Sequence, residues 1–259
     1  MMSKKYIATF LSALFISVTL LAQSGREFYE LRIYNYTSDS SESRLDNYLE
    51  KALVPALHRA GMKQVGVFKS SPDDTASIKK FYVLIPYRSL TDLDKIETTL
   101  DKDKSYNSAG TDYINAAHNN APYTRMEKII LKAFAGMPNL KKPKLTGDRK
   151  KRVYELRSYE GATEKLYRTK VKMFNEGDEV GIFNRLGFNA IFYAEVLAGK
   201  AMPNLMYMTT FDDMASRDKH WKAFGEDPQW NKLKSDKQYD NTVSHIDSWF
   251  LYPAEYSDL

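Results

Sequence analysis

The hexapeptide Tyr-Glu-Leu-Arg-Ile-Tyr at 29–34 recurs as Tyr-Glu-Leu-Arg-Ser-Tyr at 154–159. Internal repetition of this kind constrains a chain more than its composition does, because each copy must fold alike. The match runs on past the hexapeptide. An apolar stripe at helical spacing follows the first copy, through Leu45, Tyr48, Leu49, Ala52, Leu53, Ala56 and Leu57. Pro55 predicts a kink in that helix. The helix ends at His-Arg-Ala-Gly-Met (58–62), which aligns with Asn-Arg-Leu-Gly-Phe (184–188). Gly61 and Gly187 fit the left-handed position that closes helices. Two strands follow in each copy, "KQVGVFKS" and "KKFYVLIPY" against "NAIFYAEV" and "NLMYMTTF". A charged helix comes next, with Asp94-Lys95 on Asp218-Lys219 and Asp103 on Asp227. A last strand closes each copy.

The order β-α-β-β-α-β is the ferredoxin-like pattern. Its sheet is covered by helices on one face and bare on the other. Two bare faces can close on each other. The expected fold is therefore α+β, with two ferredoxin-like βαββαβ repeats forming a pseudo-dimeric α/β barrel. The first repeat spans 26–135 and the second 152–254. A basic linker at 136–151 joins them and is expected to be a solvated tether.

The first 22 residues have a basic start at Lys4 and Lys5 and then an uncharged apolar run. They form an expected signal peptide, which predicts a periplasmic or secreted protein with no transmembrane segment in the mature chain. Without those two lysines the formal charge of +5 falls to +3. The linker holds six basic residues against Asp148 alone, so the basic balance sits there and not on a nucleic-acid face. The chain has no cysteine, which excludes disulfides, thiol catalysis and thiolate metal sites.

"YELRIY", "LVPALHRAG", "VGVFK" and "WKAFGEDPQW", in this order and across both copies, resemble the NIPSNAP family. The resemblance implies the dimeric α/β-barrel fold. It implies no particular reaction, because the family has none established. Wider relatives of that fold include cofactor-independent monooxygenases and haem-binding enzymes.

With Leu31 and Ile33 placed under the helices, Glu30, Arg32 and Tyr34 would point between the two sheets, facing Glu155, Arg157 and Tyr159. Such a polar interior is either a ligand pocket or a Glu–Arg network fixing the register of the sheets, and its duplication favours the network. His58 has no His in the other copy. It is a candidate base or haem ligand, with capping of the helix end as the plainer role. His245 and Asp247 share one strand face, as a base and its orienting carboxylate would, or as a surface pair. Scattered histidines predict no metal site, and no motif predicts a cofactor. The expected function is a non-catalytic module binding a small molecule or a partner, with homodimerisation as a further role. The alternative is a monooxygenase-like or haem-using enzyme.

Overall fold

A computed structural model describes residues 25–71 and 74–259. The expected signal peptide lies outside the described residues. Each repeat supplies four strands. The first gives β1 (Phe28–Tyr36), β2 (Gly66–Ser70), β3 (Lys79–Tyr87) and β4 (Arg125–Ala133). The second gives β5 (Val153–Glu160), β6 (Phe192–Ala198), β7 (Asn204–Phe211) and β8 (His245–Pro253). All eight close into one barrel in the order β1-β3-β2-β8-β5-β7-β6-β4. Within each repeat the sheet runs fourth, first, third, second strand, the ferredoxin-like order. The seams β2–β8 and β4–β6 join the two sheets.

Helices α1 (Asp39–Tyr48), α2 (Val54–Arg59), α3 (Leu90–Asp101), α4 (Lys104–Ala109) and α5 (Thr111–Ile114) cover the first sheet. Helices α6 (Glu164–Asn175), α7 (Glu179–Arg185), α8 (Met214–Glu226) and α9 (Pro228–Lys234) cover the second. Local sequence sets their ends twice over. Ser38 and Thr163 cap α1 and α6, and Ser89 and Asp213 cap α3 and α8, each accepting a backbone N–H two or three residues on. The helix ends at Gly61 and Gly187 have φ of 98° and 77°. Met62 and Phe188 each donate a backbone N–H five residues back, to Leu57 and Phe183, which completes the same closing motif. Arg59 then reaches Asp103 at 2.7 Å, and its counterpart Arg185 reaches Asp227 at 2.9 Å. The expected kink before Pro55 is a π turn at Leu49–Leu53, in which Val54 donates to the Leu49 carbonyl. In the second copy the helix breaks outright at 176–178.

The shared interior is apolar. Tyr29, Leu31 and Leu84 pack with Tyr154, Leu156, Phe192 and Met208 inside the barrel. The alternation expected along β1 and β5 is present, but the two faces are exchanged. Tyr29, Leu31 and Ile33 point into the barrel, while Glu30, Arg32 and Tyr34 point outward under the helices. The physical reason is partner supply. At the depth of Glu30 and Arg32, charged groups in the interior would face apolar residues of the other sheet, whereas the helices offer Glu97 and Arg217 as counter-charges.

The linker is not a solvated tether. The Lys141 N–H donates to the Ile191 carbonyl, and the Leu140 N–H donates to the Glu27 carboxylate. Leu140 is buried in the barrel core at this end. Leu259 enters the same core beside Gly66, where an added β-carbon would come within 2.9 Å of it. One end of the barrel is therefore stoppered by the linker and the tail.

Because the interior is common to both repeats, Leu31→Ala and Leu156→Ala should each cost about 2–5 kcal/mol. Urea unfolding followed by circular dichroism should show one transition for both repeats. Two separate transitions would contradict a shared core.

Candidate functional site: the open end of the barrel

The sequence candidates on the outer face form two separate networks. In the first repeat, the Arg32 guanidinium pairs with Glu30 and reaches Glu97 of α3 at 3.1 Å, and the Tyr87 hydroxyl donates to Glu30 at 3.0 Å. Tyr34 packs edge-on against Tyr113 and Tyr123. In the second repeat, Glu155 accepts from Arg157 at 2.7 Å, Arg217 at 2.8 Å and the Trp221 indole at 2.7 Å. The Arg157 guanidinium stacks over Trp221 with 4.6 Å to the ring centroid, and Tyr159 bonds Tyr207 at 2.8 Å. The two trios do not face each other; each fastens its own sheet to its own helices.

Burial pushes the Glu155 carboxyl up, but the donors from Arg217, Trp221 and Arg157 outweigh it and hold the group below the usual carboxylate range. Glu179, buried with Lys170 at 2.8 Å, is pushed up instead, because one cation does not offset its burial. Burial likewise pushes up the Tyr159, Tyr193 and Tyr207 phenols, which keeps them protonated at neutral pH.

His58 sits at the end of α2, where Nε2 lies 2.7 Å from Asp258 and holds the C-terminal tail to the helix. Asp258 also accepts the Val65 N–H at 2.8 Å. His58 is thus engaged on the outer surface, as a helix-end histidine.

The end of the barrel opposite the linker is open. A cavity of about 230 Å³ lies there, with Ile33, Tyr82, Ile129, Met206 and Trp249 as its apolar wall. Its polar groups are Ser158, Asn204 and Asp247, with Lys80, Lys200 and Glu127 also on the lining. A side cleft of about 540 Å³ shares Lys80, Tyr82 and Trp249 with it. That cleft follows from strand length. β2 pairs with β8 over three positions, from Phe68 to Ser70, so among the described residues the first half of β8 has no paired strand on that side. Asn204 Nδ2 donates to the Ser158 hydroxyl at 2.8 Å, while Asn204 Oδ1 is buried and has no hydrogen-bond partner among the described residues. A buried carbonyl left this way costs about 1–3 kcal/mol.

The strand registers show that this lining consists of pairs related by the repeat. Ile33 corresponds to Ser158, Tyr82 to Met206, Lys80 to Asn204, Glu127 to Asp247 and Ile129 to Trp249. Deeper in the barrel the corresponding residues are apolar in both copies: Leu31 and Leu156, Leu84 and Met208, Leu131 and Leu251. The open end is where the copies diverge. Sequence reasoning missed Ser158 and Asn204. The available signal was the single mismatch inside the repeated hexapeptide, Ile33 against Ser158.

Glu155→Gln should cost about 3–5 kcal/mol near neutral pH, because two arginines lose their shared anion. A depressed carboxyl adds stability above its unfolded pKa and loses it as pH falls through the folded one. The gap between wild type and variant should therefore be flat above about pH 5 and narrow below about pH 4. Denaturation at stepped pH measures it.

Among the described residues, no helix is long and apolar enough to cross a membrane. Several solved structures share the fold. A Fusobacterium nucleatum protein whose name proposes a monooxygenase matches with a TM-score of 0.56 at 9% identity, over 88% of this chain and 93% of its own. A Lactobacillus acidophilus protein named in the same way gives 0.57 at 12% identity, over 88% and 94%. An anthrone oxidase-like protein gives 0.53 at 10% identity, over 89% and 92%. At these identities the likeness is one of fold. No curated protein matches the sequence. The NIPSNAP family model matches residues 154–258, so the second repeat carries a NIPSNAP domain.

Proposed function

We propose that this chain is a binding module that takes a small apolar or aromatic molecule into the open end of its barrel. The observation that carries this reading is Asn204, which lines a cavity with an apolar wall and whose buried Oδ1 has no partner among the described residues. A ligand with a hydrogen-bond donor would satisfy it, while Ile33, Ile129 and Trp249 pack against the rest of the molecule. Most pockets of this kind pair a hydrophobic lining with a few placed polar groups. The outer Glu30–Arg32 and Glu155–Arg157 networks serve this site indirectly, by keeping the sheets rigid. The basic start and apolar run of the N-terminal sequence support a site of action outside the cytoplasm, and cell fractionation with an antibody against the folded domain would test that.

A monooxygenase-like or haem-using enzyme is the second reading, and the names of the fold relatives bring it to this chain. In that reading one histidine, His58 foremost, serves as base or axial ligand. His58 is joined to Asp258 on the surface and does not line the cavity, so the geometry favours the binding reading.

Native mass spectrometry against a panel of small aromatic and aliphatic molecules, with Trp249 fluorescence as a second signal, tests the binding reading. The wild type should retain a ligand. The double variant Ser158→Ala/Asn204→Leu removes both members of the polar pair, so it should keep or gain stability while losing affinity about tenfold. A ligand-free wild type across the panel would sink the reading, and so would equal binding by the double variant.

A further inference from the structure

The strand alternation that places Ser158 on the cavity also places Glu160 on the same inner face, at the last position of β5. In the register, Glu160 lies beside His245 of β8 on one side and Asn204 of β7 on the other. His245 and Asp247 share the inner face of β8. One ligand atom from each of Glu160, His245 and Asp247 lies within 4.8 Å of the others, and His245 Nε2 is 3.2 Å from Asp247. Sequence reasoning found His245 and Asp247 but missed Glu160, because only the barrel register brings β5 and β8 together.

Charge makes the cluster unusual for this molecule. Among the described residues, neither Glu160 nor Asp247 forms an ion pair with a lysine or arginine. The first copy shows what a plain structural solution looks like. There the same four positions are Asn35, Arg125, Glu127 and Lys80, and Glu127 is paired with Lys200. The second copy has replaced the arginine by His245, the asparagine by Glu160 and the lysine by Asn204. It thus lost two cations, gained a carboxylate and gained an imidazole. Asn204, whose side-chain oxygen is buried, lines the cavity that Asp247 also lines.

We propose that Glu160, His245 and Asp247 bind a divalent transition-metal ion, of the zinc or manganese kind, at the open end of the barrel. One imidazole nitrogen and two carboxylates suit such ions, and the two carboxylates balance the charge. Ligand atoms around one such ion sit about 2.0–2.2 Å from it. The cluster therefore needs to contract slightly, which rotation of half-exposed side chains at strand ends can supply. Three protein ligands leave coordination positions open toward the cavity, and Asn204 Oδ1 can accept a hydrogen bond from a water held there. The site borders the cavity and shares Asp247 and Asn204 with it, but Ser158→Ala/Asn204→Leu disturbs the organic ligand while leaving all three metal ligands in place, so the two readings fail separately.

The test uses the full mature chain without a polyhistidine tag, stripped with chelator and titrated with zinc chloride and manganese(II) chloride by calorimetry. The wild type should bind one ion per chain. Glu160→Gln, Asp247→Asn and His245→Ala should each weaken binding about tenfold or more. His58→Ala, at the other histidine–aspartate contact, should leave binding unchanged. Cobalt(II) added to the wild type should give visible bands that His245→Ala alters. No binding by the wild type would overturn the proposal, as would loss with His58→Ala or unchanged binding in the three ligand variants. If Glu160→Gln fails to fold, Asp247→Asn and the cobalt spectrum decide the matter.

Discussion

Each four-stranded sheet in this chain has one face that nothing in its own repeat covers. That uncovered apolar face is the constraint on which everything else rests. A sheet carrying Tyr29, Leu31 and Ile33 on its open side is unstable in water. The twin sheet, with Tyr154 and Leu156, supplies the missing surface. Closure through β2–β8 and β4–β6 also shortens the sheet edges that would otherwise attract other chains. The linker and tail complete the seal at one end, with Leu140 and Leu259 as stoppers.

Once the barrel closes inward on apolar side chains, its polar residues have to be satisfied outward. The buried Glu30–Arg32 and Glu155–Arg157 pairs do so through α3 and α8. These contacts fix how each helical layer sits on its sheet. They also explain why the same Glu-x-Arg spacing stands in both copies: a helix must be seated twice. Three donors converge on Glu155, whereas Glu179 has a single lysine, and their carboxyls shift in opposite directions for that reason.

The repeat and the helix ends at Gly61 and Gly187 were legible in the sequence, and so was the doubling of Arg59 in Arg185 and of Asp103 in Asp227, though not the contacts between them. Each is local, or is doubled and so announced by alignment. The inward face of β1 was not legible. Alternation separates Leu31 from Arg32 but does not say which side the helices take. Polarity misled here, because Glu30 and Arg32 looked like cavity residues when their partners were on helices far along the chain. The linker misled in the same way, since its lysines describe its surface and Leu140 and its backbone bonds describe its position. Ser158 and Asn204 escaped notice because their meaning depends on the register between β5 and β7.

An approximate twofold axis runs through the open end of the barrel. In an assembly of two identical half-length chains, every residue near such an axis would appear twice, and no single histidine could stand there alone. Joining the halves covalently frees the two sides to change independently. The pairs Lys80 with Asn204 and Ile129 with Trp249 are the visible result. The divergence of the two copies gives this barrel a handed opening on a scaffold that remains symmetrical beneath it.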